Sequence, residues 1–98
     1  MEPSISEINI IPIKPTSGLV GFVSFVLGNV MYLGSIGIMT RPGGGYRLTY
    51  PTKKVGMSDL NVYYPINRDF AQAVEEIVVQ RVEEVMKASN DRYHSDYA

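Results

Sequence analysis

Over its first half the chain alternates apolar with polar residues or runs apolar on both parities, and after residue 67 it switches to helical spacing. The pattern predicts a first strand over residues 8–14, closed by Pro15. Pro12 inside it marks an edge or irregular strand, because proline cannot donate to a ladder. Thr16-Ser17-Gly18 reads as a turn, and residues 19–27 as a second strand. Its faces are Leu19/Gly21/Val23/Phe25/Leu27 and Val20/Phe22/Ser24/Val26, both largely apolar, which predicts that both are covered. Gly28-Asn29 places glycine first, as a type II′ hairpin turn wants, so residues 30–39 are predicted to return antiparallel. Arg41-Pro42-Gly43 reads as the next turn, with proline presetting φ and Gly43 accepting a positive φ. Residues 46–50 alternate Tyr46, Leu48, Tyr50 with Arg47, Thr49, a half-buried fourth strand that Pro51 ends. Residues 55–58 read as a loop and 61–64 as a short fifth strand before Pro65.

Residues 68–88 predict a helix, with Asn67 as N-cap and Asp69 in the first turn where the dipole favours it. Phe70, Val74, Ile77, Val78 and Val85, flanked by Ala73, Val82 and Met86, make an apolar stripe. Glu75, Glu76, Gln80, Glu83, Glu84 and Lys87 fill most of the rest. Ser89-Asn90 is the predicted end, and residues 89–98 a loose tail. The fold class that follows is α+β: an antiparallel sheet of four to five strands with one C-terminal helix packed on one face, in a single 98-residue domain. A single helix leaves the other sheet face open. Val20, Phe22 and Val26, or their alternates, would lie exposed there, which predicts a symmetric homodimer.

Composition removes several functions. The chain has no cysteine, so disulfides and thiolate metal sites are excluded. Residues 18–39 carry no charge and pass a crude length test for a membrane span. Asn29 near their middle, five glycines, abundant Val and Ile and the absence of Ala favour strands instead. Met1-Glu2-Pro3-Ser4 lacks the basic start of a secretory signal, and the absence of cysteine fits the cytoplasm. The single histidine, His94, lies in the predicted tail, and no HExxH or paired-His spacing exists. The Glu75/Glu76 and Glu83/Glu84 pairs read as a solvated helix face. Pro42-Gly43-Gly44-Gly45 precedes a strand and lacks the Gly-Lys-Ser/Thr of a phosphate-binding loop. Neither an enzyme nor a cofactor is expected.

Charge changes the picture. The net charge is only −1, but residues 8–58 hold Lys14, Arg41, Arg47, Lys53 and Lys54 with no Asp or Glu. Most of the acids follow residue 58, so a partner meets a locally basic field. The segment from Arg41 to Lys54 sets four cations among Tyr46, Tyr50 and a glycine loop. That is the composition of a surface that neutralises phosphates with Lys53, Lys54, Arg47 and Arg41 and stacks bases on Tyr46 or Tyr50. The same residues also fit a plainer role. Arg47 would then face water or pair with a helix glutamate, the lysines would serve solubility, and the tyrosines would belong to the core rim.

The order of these residues resembles the stage V sporulation protein G (SpoVG, septation protein) family. The likeness rests on the opening Ile5-Ser6-Glu7-Ile8, the Ile36-Gly37-Ile38-Met39 segment after a hairpin, and the glycine-rich loop leading to Tyr50-Pro51-Thr52-Lys53-Lys54. Tyr64-Pro65-Ile66-Asn67 then matches the family's lead-in to its C-terminal helix. Together these cover about residues 5–88. The resemblance implies a small bacterial dimer that binds DNA or RNA and is linked to sporulation, septation and gene control, with Lys53 and Lys54 as the basic pair contacting nucleic acid. The chain departs from the family in carrying Asn9, Ile11 and Pro12 where arginines are usual, and Tyr64 where histidine is. The alternative is a protein–protein adaptor of the septation machinery, using a sheet edge or the acidic helix.

Overall fold

The structure, a computed structural model, describes the backbone of residues 4–96 and the side chains of residues 4–88. Strands β1 (Ile5–Thr16), β2 (Leu19–Leu27), β3 (Met31–Thr40) and β4 (Tyr46–Thr49) form one antiparallel sheet in that order. A separate two-stranded sheet follows, β5 (Thr52–Val55) with β6 (Ser58–Asn61), and then helix α1 (Arg68–Asp96). The fold is α+β, with the helix on one face of the four-stranded sheet.

The core explains the layering. Val23 and Phe25 from β2 and Ile36 and Ile38 from β3 meet Val74, Val78, Val82 and Met86 from α1. The helix contributes through a row spaced by four residues, the row that stays on one side of a 3.6-residue helix. Ile77 was expected in this stripe, but it stands about 100° round the axis from Val78 and is 37% exposed. Val82, expected only at the flank, is fully buried. Asn67 caps the helix as predicted, its Oδ1 accepting from Phe70 N at 2.8 Å. The helix continues to Asp96, past Ser89-Asn90. The loose tail expected over 89–98 falls on residues whose side chains lie outside those described.

Two bulges keep the apolar residues facing the helix. Glu7 (φ 51°) and Ser35 (φ 60°) take left-handed conformations where the β1–β2 and β2–β3 registers shift. An extra residue on one strand reverses side-chain parity. Ile5 before the bulge and Ile8 and Ile10 after it therefore all reach the core, as do Leu33 and then Ile36 and Ile38. Pro12 sits on β1, an edge strand, as its missing N–H requires.

The turns differ from expectation in detail. Gly28 and Asn29 both have positive φ, and Val30 N donates to Leu27 O at 3.1 Å, the type I′ turn rather than II′. Asparagine tolerates the left-handed region well enough to supply the second residue. In the next turn Gly44 N donates to Arg41 O, and the positive φ values fall on Gly44 and Gly45 rather than Gly43.

The largest correction concerns residues 52–64. The predicted loop at 55–58 is the tight turn of the β5–β6 hairpin, with Gly56 at φ 64°, and residues 62–64 form no strand. This hairpin is an arm. All of its strand residues are exposed, and among the described residues it packs on no other strand and not on the helix. Val62 N donating to Pro51 O at 3.0 Å closes its base. The charge-free run 18–39 forms β2, its turn and most of β3. No helix among the described residues is long and apolar enough to cross a membrane.

Candidate nucleic-acid interface

The six residues singled out by the sequence fall in four places. Arg41 turns back to the helix. Its Nη2 lies 3.1 Å from Glu75 Oε1, and its Nε donates to Tyr46 O at 3.1 Å. The same carboxylate oxygen accepts from Leu48 N at 3.2 Å. Glu75 thus ties the glycine loop and strand β4 to α1, and Arg41 serves that junction. The sequence allowed a helix-glutamate partner for Arg47, but the pair is made by Arg41.

Tyr46 and Tyr50 face inward with Leu48 and pack against the core. Tyr50 meets Tyr63 edge to face, ring centroids 6.0 Å apart. Burial first, then the charge of Glu75 and the neighbouring Tyr63, push its hydroxyl up to about 12, so it stays protonated. Burial also raises Tyr63, whose hydroxyl donates to Gly34 O. Both rings are partly buried, and Tyr46 also borders the cleft on the helix side.

Arg47, Lys53 and Lys54 remain. Arg47 lies on the opposite parity of β4, facing away from the helix and paired in register with Met39. Lys53 and Lys54 lie on the arm. Consecutive strand residues point to opposite sides, so the two ammonium groups leave from opposite faces of the ribbon. Lys54 stands across from Asp59, and Lys53 from Leu60. Among the described residues no carboxylate lies within ion-pair distance of any of the three.

Two aromatic residues that the sequence did not single out as site residues are exposed on the open sheet face. Phe22 on β2 is 38% exposed and Tyr32 on β3 is 71% exposed. They line a shallow depression of about 390 Å³ together with Asn9, Ile11, Ser24 and Ser35. The signal was available: Phe22 sits on the β2 parity that alternates away from Val23 and Phe25, and Tyr32 pairs with Val26 on that parity. β2, β3 and β4 contain no Asp or Glu, so the open face is free of carboxylates from these strands, whereas α1 carries Glu75, Glu76, Glu83 and Glu84. On the helix side, a cleft of about 690 Å³ runs past Arg41, Ile66, Arg68, Gln72 and Glu76. Among the described residues no cluster of His, Asp or Glu could hold a metal ion. Comparison of the sequence with models of known protein families and with curated proteins finds no match.

Proposed function

We propose that this chain is a small bacterial nucleic-acid-binding regulator of the SpoVG type, linked to sporulation and septation control and acting as a homodimer. The observation that carries the reading is the arm. A two-stranded ribbon standing clear of the body, with a lysine on each face, can enter a major groove about 12 Å wide and reach phosphates on both walls. Arg47 on β4, five residues before the arm begins, adds a third cation that has no carboxylate partner among the described residues. The homodimer draws support from exposed apolar residues at Val55, Met57, Leu60, Val62, Tyr64 and Ile66. Of those expected on the open sheet face, Phe22 is exposed, Val26 is half-buried and Val20 packs toward the core.

A salt titration of binding to random DNA and RNA tests the reading. Arg41 is engaged by Glu75, so three cations per chain remain, and the log–log slope per chain is expected at about −2 to −3. Replacing Lys53 and Lys54 by alanine flattens that slope by about 1 to 2 and weakens all sequences alike. Retained affinity with a slope near zero would remove the phosphate role.

One observation favours the second reading, a septation adaptor without nucleic-acid binding. Val55 and Leu60 share the Lys53 face of the arm, and Met57 at its tip is fully exposed. In that case Leu60→Glu abolishes association with a septation protein, and no salt-dependent nucleic-acid binding is found.

A further inference from the structure

We propose that the open face of the four-stranded sheet is a stacking site for an unpaired nucleobase, held at Tyr32 and Phe22, so that the protein takes single-stranded nucleic acid over duplex. This deepens the nucleic-acid reading and rests on it, but it uses a different surface from the arm.

The first support is the state of the Tyr32 ring. A Cβ built on Gly34 would fall 3.0 Å from Tyr32 Cε1 and 3.1 Å from its hydroxyl oxygen. The Cε1 edge and hydroxyl end of the ring therefore sit close to the glycine, two residues along the same strand, while the side chain as a whole is 71% exposed. A ring held along one edge has less freedom to lose when a base stacks on it. Phe22, on the neighbouring strand, borders the same depression.

The second support is the chemistry around the rings. Asn9, Ser24 and Ser35 line the depression. They bring an amide and two hydroxyls, groups that both donate and accept and so can answer the edge of a base. Ser35 is the left-handed bulge residue, and the bulge sets it at the rim of this site. Arg47 faces the same side from β4, and no carboxylate comes from β2, β3 or β4. Polar groups interleaved with two aromatic rings, on a face to which β2, β3 and β4 bring Arg47 and no carboxylate, suit a polyanion that carries flat rings. A duplex hides those rings in its own stack, whereas a single strand can splay them out.

The test is fluorescence anisotropy on the full chain with a short oligothymidylate, a short oligouridylate and a duplex of equal length, at one salt concentration. The single strands are expected to bind more tightly than the duplex. Tyr32→Leu is expected to weaken single-strand binding by roughly five- to a hundred-fold and to leave the duplex and the salt slope unchanged. Tyr32→Phe, which keeps the ring, is expected to bind as the parent does. Because Tyr32 is largely exposed, circular dichroism and sedimentation should match the parent. Single-strand binding unchanged in Tyr32→Leu overturns this site and leaves the arm reading standing. A parent chain that binds none of the three probes overturns both. If Tyr32→Leu loses self-association and keeps single-strand affinity, the face belongs to a second copy of the chain and the stacking site is refuted.

Discussion

The contact between Val78 and the sheet makes a prediction that can be worked through. Val78 is 0% exposed and belongs to the buried cluster with Val23, Phe25, Ile36, Ile38, Val74 and Val82. Val78→Ala deletes two methyl groups, worth about 0.8 kcal/mol each in transfer from water. An unrelaxed void of about 50 Å³ adds about 1.2 kcal/mol at about 24 cal/mol per Å³. Alanine's better helix propensity returns about 0.5 kcal/mol. The net cost is about 2 kcal/mol, a substantial part of the roughly 5–15 kcal/mol that stabilises a domain of this size. Ile77→Ala removes more atoms, yet its side chain is 37% exposed and water fills the space it leaves. Its net cost is expected below about 1 kcal/mol once propensity is counted. The order of the two substitutions is thus the reverse of their size. Urea unfolding followed by helical circular dichroism measures it, a suitable probe because the chain has no tryptophan. The corresponding fall in Tm for Val78→Ala is about 8–16 °C. An Ile77→Ala variant that loses as much stability as Val78→Ala would refute the orientation of the helix. A Val78→Ala variant within about 0.3 kcal/mol of the parent would refute its packing on the sheet.

Gly21→Ala places a Cβ 2.8 Å from the Ile11 carbonyl oxygen, a backbone atom that cannot swing aside, so a loss of about 1–3 kcal/mol is expected in the same urea assay. Tyr50 has its folded-state pKa raised to about 12, so it stabilises the fold fully below pH 10, and that stability is lost as pH rises from 10 through 12. Tyr50→Phe should flatten the alkaline limb of a stability–pH curve, and an unchanged limb would place the titration elsewhere. Arg41→Ala breaks a half-exposed pair and should cost about 1 kcal/mol or less. It should leave nucleic-acid affinity where it was, and a loss equal to that of the Lys53/Lys54 double variant would return Arg41 to the interface. Sedimentation at micromolar concentration should show a dimer, and a clean monomer would remove the homodimer.

The alternation of β2 was readable to its last residue, because an uncharged stretch bounded by Gly18 and Gly28-Asn29 leaves little freedom in where pairing starts and stops. The arm was not readable. Thr52-Lys53-Lys54-Val55 and Ser58-Asp59-Leu60-Asn61 bury nothing, so hydrophobic period, the main strand signal, is absent there. Ile77 was misplaced because spacings of three and four both lie near one helix face, and only the sheet decides which row points inward. The Arg41–Glu75 pair joins residues 34 apart, and no local pattern announces a contact of that range. Tyr46 and Tyr50 were offered both as stacking residues and as core rim, and the structure packs both, partly buried, against the core. Tyr32 was passed over because its exposure depends on Gly34 and on the bulge at Ser35, features of the folded strand rather than of composition.

The isolation of the β5–β6 hairpin separates reach from stability. A strand advances about 3.3 Å per residue, so adding one residue to each side would lengthen the arm by that amount without disturbing Val78 or Phe25. If the addition precedes Lys53, it also exchanges the faces from which Lys53 and Lys54 leave, and a second residue per side restores them. The hairpin therefore behaves as a ruler with two settings. Its length fixes how far from the body a partner is met, and the parity of that length fixes which lysine meets it.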